Sequence, residues 1–121
     1  MIPKFRAWDK RHNEIVFVHE INFKNDTLTT ESIDNGISKD VQMLVFILMQ
    51  STGLKDKNGV EFFEGDIGWD DHLEVHGQVI FENGAFKYEW DNISEDLFEV
   101  TDDIEIVGNI YENSELLEGS E

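Results

Sequence analysis

Apolar and polar residues alternate through Lys4-Phe5-Arg6-Ala7-Trp8, break over the polar stretch Asp9 to Glu14, and resume as Ile15-Val16-Phe17-Val18. A period of two sends successive side chains to opposite faces of a strand, and β-branched and aromatic residues suit that surface, so this segment predicts a hairpin. Ile21-Asn22-Phe23 and Thr27-Leu28-Thr29 flank Asn25-Asp26, which predicts a second, more exposed pair of short strands. The apolar run Val41 to Met49 has no decisive period, and Ser38 could cap a helix there. Thr52-Gly53 stops the run and Asn58-Gly59 follows, so a buried strand from about Leu44, leading into a hairpin turn, is the better reading.

Gly77 to Trp90 carries the clearest hairpin pattern. Asn83-Gly84 suits a type I′ turn that sets Phe81 against Phe86 and Val79 against Tyr88 on one face, with Ile80 and Lys87 on the other. Ile104 to Tyr111 reads as a last strand, and Asn113 or Ser114 can cap a helical turn through Leu116 and Leu117, after which Gly119-Ser120-Glu121 is expected to fray. Short strands with regular turns predict a mainly β fold. The expected form is a small, partly open barrel, SH3-like over Gly65 to Tyr111, with an N-terminal hairpin extension and a short C-terminal helical turn.

Length alters this picture little: 121 residues suffice for one modest core, and with no repeat or linker the chain reads as a single domain, 1–121. Absence of cysteine leaves only His, Asp and Glu for a metal site. No apolar run approaches a membrane span of about 20 residues, and Met1-Ile2-Pro3-Lys4 lacks a signal-peptide core, so the expected location is the cytoplasm, with no membrane partner.

Charge changes the picture most. Residues 1–60 hold eight acidic and eight basic side chains, whereas residues 61–121 hold nineteen acidic and one basic, Lys87; the whole net charge of −18 is C-terminal. Direct nucleic-acid binding through that half is disfavoured, because it lacks the Lys and Arg needed to displace counterions. At 14.0 kDa a folded chain exposes about 6,700 Å², and half of it about 3,300 Å². Eighteen net charges there give one per ~180 Å², against one per ~110 Å² on B-DNA. The half could therefore mimic DNA toward a protein with a basic nucleic-acid-binding surface, or serve as a more general acidic docking surface, or simply keep the protein soluble. Asp70, Asp71, Asp102 and Asp103 are the residues singled out for interaction.

Three segments carry a family resemblance: Lys4-Phe5-Arg6-Ala7-Trp8-Asp9-Lys10; Ile47-Leu48-Met49-Gln50 through Thr52 to Gly59 and on to Glu64-Gly65-Asp66-Ile67; and Val107-Gly108-Asn109-Ile110-Tyr111-Glu112-Asn113. In order and spacing they resemble the YopX-like family of phage and prophage proteins. The resemblance implies a small, mainly β, phage-encoded protein in a bacterial host, with no established enzymatic activity. Gly68 departs from the β-branched residue usual there, and Ser114 from the proline frequent after Glu-Asn. Residues 24–43 and 68–103 match little.

Chemical motifs are weak. The turn from Gly53 to Ile67 could be imagined cradling a phosphate with Lys55 and Lys57, but it has no Walker pattern and a hairpin explains it. If Asp70 to His76 were a strand, His72, Glu74 and His76 would share one face and offer zinc two imidazoles and a carboxylate, but a solvated acidic loop and strand edge is the better reading, and no metal is assigned. His12 and His19 lie apart with no obvious partners. Trp8, Phe62, Phe63, Trp69, Phe81, Phe86, Tyr88, Trp90 and Phe98 read mostly as core rather than as base-stacking platforms, given their acidic surroundings. With no nucleophile elbow, HExxH or dinucleotide fingerprint, no catalytic residue and no cofactor are assigned. The leading expectation is an accessory protein that binds a host or phage protein. The alternatives are a small metal-dependent enzyme using His72, Glu74 and His76, or a self-assembling homo-oligomer.

Overall fold

The computed structural model describes residues 4–118, so the fraying expected of Gly119-Ser120-Glu121 lies outside the described residues. Eleven strands form two antiparallel sheets, and neither closes into a barrel. The chain divides into two compact units, 1–50 and 51–121.

In the first unit, β1 (Phe5–Asp9), β2 (Glu14–Asn22), β3 (Thr27–Ser32), β4 (Gly36–Gln42) and the first half of β5 (Phe46–Lys55) stand in the order β4-β3-β2-β1-β5. The predicted first hairpin is present, pairing Ala7 with Val16 and Trp8 with Ile15. The N-terminal part is nevertheless larger than a hairpin extension: Ala7, Val16, Leu28 and Phe46 form a core of their own, against which Val18, Ile21, Val41 and Leu48 pack. The second pair of strands is not the more exposed one, because Leu28 and Thr27 are buried. The run from Val41 opens on the last two residues of β4, passes through a 3₁₀ turn at Met43–Val45 that leaves Leu44 exposed, and enters β5 only at Phe46. Gly53 does not end it; β5 continues to Lys55.

In the second unit, the distal half of β5 pairs with β6 (Glu61–Phe63). β7 (Asp66–Asp70), β8 (Val75–Glu82), β9 (Ala85–Trp90), β10 (Ile93–Asp96) and β11 (Ile104–Asn109) form a sheet in the order β10-β9-β8-β7-β11. Phe62, Val79, Tyr88, Leu97 and Ile104 are its buried core. Each such side chain contributes roughly 1.5–3 kcal/mol by leaving water. The predicted helical turn is α1 (Glu115–Glu118), preceded by Ser114, whose carbonyl accepts from the Leu117 N–H at 3.1 Å.

Asn83 and Gly84 both have positive φ, 55° and 81°, as a type I′ turn requires. Phe81 pairs with Phe86 and Val79 with Tyr88, as the sequence predicts. At the other Asn-Gly pair only Gly59 is left-handed, at φ 84°. That turn is built instead by Asp56, whose carbonyl accepts from the Gly59 N–H at 3.0 Å. Replacing Asn83 and Gly84 together by alanine is therefore expected to lower stability by about 1–2 kcal/mol, since each alanine must hold positive φ. Asn58→Ala alone should cost little, and a chemical denaturation series separates the two. Not all aromatics are core: Tyr88 and Phe62 are buried, while Phe81 and Phe98 are 51% and 65% exposed.

Candidate functional site

The topology of the second sheet gathers the acidic loops at one end. β7 ends at Asp70, β8 starts at Val75, β9 ends at Trp90, and β10 and β11 start at Ile93 and Ile104. Pairing of Asp70 with both Val75 and Ile104, and of Ile93 with Trp90, places these termini side by side. Asp71, His72, Glu74, Asp91, Asp102 and Asp103 therefore project from loops at the same end.

The four aspartates singled out for interaction do come to that end, but in different roles. Asp70 is buried; its carboxylate accepts the N–H groups of His72 at 2.8 Å and Leu73 at 3.1 Å, and its carbonyl accepts that of Glu74 at 2.7 Å. It holds the β7–β8 turn and presents no surface. This corrects its assignment as an interaction residue: an aspartate facing backbone N–H groups two and three residues on closes an Asx turn. Asp71 is exposed and bonds the Lys57 ammonium at 2.7 Å. That contact holds the Asp71 carboxyl below its usual range and raises the Lys57 ammonium above its own. Lys57 is anchored in turn by its backbone N–H, which donates to the Ile104 carbonyl at 3.0 Å. Asp102 and Asp103 are exposed on a 3₁₀ turn, Thr101–Asp103, directly before β11.

The segment proposed for zinc is not a strand throughout. Residues 71–74 form a turn in which Glu74 takes φ 54°, and β8 starts at Val75, so His72 and Glu74 do not share a strand face with His76. The His76 ring lies against Trp69, with centroids 4.7 Å apart. Among the described residues, three ligand-type side chains converge elsewhere, at Asp9, His12 and Glu14 in the first unit. Each of their four carboxylate oxygens, and His12 Nδ1, already has a hydrogen-bond partner. Asp9 accepts two hydrogen bonds from the Arg11 guanidinium, at 3.1 and 2.9 Å, and one from its N–H, and His12 Nδ1 lies 3.1 Å from its second oxygen. Glu14 accepts from Ser32 Oγ at 2.8 Å and Asn35 Nδ2 at 2.7 Å. An arginine held against the carboxylate disfavours a further cation, so this group reads as the lock of the β1–β2 turn. Burial opposes ionisation of Asp9, but the hydrogen bonds from Arg11 and His12 outweigh it and leave the carboxyl below its ordinary value.

Both histidines expected to lack partners have them: His12 on Asp9, and His19 on Glu31 at 2.7 Å. His19 and Glu31 are twelve residues apart and meet only through β2–β3 pairing, so no local signal marked them. The phosphate cradle imagined at Lys55 and Lys57 is centred instead on a carboxylate. Asp56 takes the turn's own N–H groups, from Asn58 at 2.8 Å and Val60 at 2.9 Å.

A family model described as "YopX protein" matches residues 4–118. The crystal structure of protein EF1440 from Enterococcus faecalis is similar, with a TM-score of 0.73 at 31% identity over 97% of this chain and 99% of that one. Protein yopX from Bacillus subtilis has a TM-score of 0.61 at 22% identity, over 94% of this chain and 97% of that one, and shows likeness of fold alone. No curated protein matches. Among the described residues, no helix is long and apolar enough to cross a membrane.

Proposed function

This chain belongs to the YopX protein family, and from that premise we propose that it is a phage- or prophage-encoded accessory protein that binds a host or phage protein in the bacterial cytoplasm. The binding element is the acidic second unit, and no catalytic step is involved. The observation that supports this is how the charge is deployed. Between residues 51 and 118 there are nineteen acidic side chains; Asp56, Asp66 and Asp70 are buried, and the remaining sixteen reach the surface. Three lysines stand against them, and two are held internally: Lys57 by Asp71, and Lys87 by Asp96 at 2.9 Å. A surface so short of counter-charge attracts a basic partner by electrostatic steering; sixteen acids less three lysines on about 3,300 Å² is one net charge per ~250 Å², within about a factor of two to three of nucleic acid, so a nucleic-acid-binding groove is the partner surface it suits.

The test is affinity capture from a lysate of the bacterial host. Reversal of Asp71, Asp102 and Asp103 to lysine should release the captured partner, as should raising salt from about 50 to about 200 mM, over which screening shortens sharply. Asp70 is left intact because it holds a turn. A partner retained at high salt, or by the reversed protein, would show that the acidic surface is not the binding element.

A further inference from the structure

We propose that the depression on the outer face of the second sheet lined by His76, Gln78, Glu89, Trp90, Asp91 and Leu117 is the point on this acidic surface that takes one lysine or arginine side chain of the partner protein. The inference rests on the docking reading above and names the group recognised.

The depression encloses about 200 Å³, which is room for a single long side chain rather than for a folded element. Its floor follows from strand register. Gln78 on β8 stands opposite Glu89 on β9, and Glu89 opposite Ser94 on β10, so the three lie in one row on one face. No hydrogen bond or ion pair engages the side chains of Gln78, Glu89 or Asp91 among the described residues. The only cation of this sheet, Lys87, lies two residues from Glu89 on the same face but reaches across to Asp96 instead. Two carboxylates and an amide oxygen are thus left for a donor from outside. Leu117, from α1, supplies an apolar wall along which the methylene stem of lysine or arginine can lie while its head meets the acids. The depression is continuous with the acidic end of the sheet, because Asp91 immediately follows Trp90 and His76 pairs with Trp69, the residue before Asp70. A cationic segment seated along Asp71, Asp102 and Asp103 can therefore set one side chain into it. Arginine's planar fork can bond Glu89 and Asp91 together, so arginine should be preferred to lysine.

The test is an NMR titration of the ¹⁵N-labelled full chain with the blocked peptide Gly-Ser-Arg-Ser-Gly, with the same peptide carrying citrulline, a neutral isostere of arginine, as control. Saturating shifts should concentrate at residues 76–78, 89–91 and 117, and be absent with citrulline. Glu89→Gln with Asp91→Asn should weaken binding by about tenfold; asparagine is chosen because Asp91 holds φ 53°, which asparagine tolerates. Glu20→Gln with Asp34→Asn, two exposed acids of the first unit, should leave it within about twofold. Unsaturated shifts spread over every acidic loop, or unaltered binding by the Glu89/Asp91 variant, would overturn the assignment. A deca-arginine peptide separates the two readings. If it binds wild type and the Glu89/Asp91 variant equally, in a salt-sensitive way, the depression is wrong and the acidic docking surface stands. If it fails to bind wild type, both fall.

Discussion

Asp56→Ala is expected to lower the stability of the protein by roughly 3–5 kcal/mol, because one buried carboxylate satisfies three backbone donors, each of which costs about 1–3 kcal/mol when orphaned. One of its oxygens accepts from Asn58 and Val60, and the other accepts from the Ile106 N–H at 2.9 Å, fifty residues away in sequence. The side chain thus ties the β5–β6 turn to β11. Asp56→Asn should recover part of the loss: its amide oxygen still serves the turn, but its NH₂ then faces the Ile106 donor. A urea midpoint shifted at unchanged slope would report the change. A loss under about 1 kcal/mol for the alanine variant would show that the turn and β11 do not depend on this carboxylate.

The same group makes the fold acid-labile. Burial raises the Asp56 pKa, but the hydrogen bonds from Ile106, Val60 and Asn58 lower it more, and the net direction is below the ordinary 3.8. Asp9 is lowered likewise. A carboxyl more acidic in the native than in the unfolded state contributes stability that is complete above its unfolded value and is lost as pH falls through its folded one. Stability should hold down to about pH 4 and decline below it. Asp56→Ala should flatten that decline, as titration of the denaturation midpoint against pH would show.

Local rules made the strands legible and long-range pairing hid the rest. Asn83-Gly84 fixed its hairpin because two adjacent left-handed residues leave the chain one tight turn, and the register of Val79 with Tyr88 follows from it. Asn58-Gly59 has the same letters but a different turn, since the nearby Asp56 takes the donors. The mainly β class was legible from strand number and turns, and the partly open barrel was inferred from the advantage of hiding edges; two open sheets result, with β4 and β10 as edges in the described residues. At the candidate site, charge asymmetry singled out the second unit, and the strand order brings Asp71, Asp102 and Asp103 to one end of its sheet. Charge asymmetry could not distinguish Asp70, whose burial depends on pairing with both Val75 and Ile104. The register that Asn83-Gly84 sets also pairs Gln78 with Glu89, but the depression beside them was hidden, because its apolar wall, Leu117, comes from α1 some thirty residues on.

Tyr88→Ala should cost roughly 3–5 kcal/mol, the range for emptying a buried aromatic site, and its coupling to Gly77 gives the sharper result. Gly68 and Gly77 are opposite each other on β7 and β8, and the Tyr88 ring lies across them. A Cβ at Gly77 would stand 2.5 Å from Tyr88 Cζ, 2.6 Å from its Cε2 and 2.8 Å from the Glu89 carbonyl oxygen; one at Gly68 would run into the Ile104 side chain and lie 3.0 Å from the ring. The glycine at position 68, where the family resemblance leads one to expect a β-branched residue, thus makes room first for Ile104 and then for the edge of the Tyr88 ring. Gly77→Ala in the wild-type background must push the ring aside in a packed core and should cost about 1–3 kcal/mol. With Tyr88 already alanine, the two contacts with the ring are gone, only that with the Glu89 carbonyl remains, and the new methyl group fills part of the void. The double variant should therefore be more stable than the sum of the two single losses by about 1 kcal/mol or more, well outside the scatter of independent sites. Strict additivity would mean that the ring does not rest on Gly77, and the account of why this sheet carries two facing glycines would fail with it.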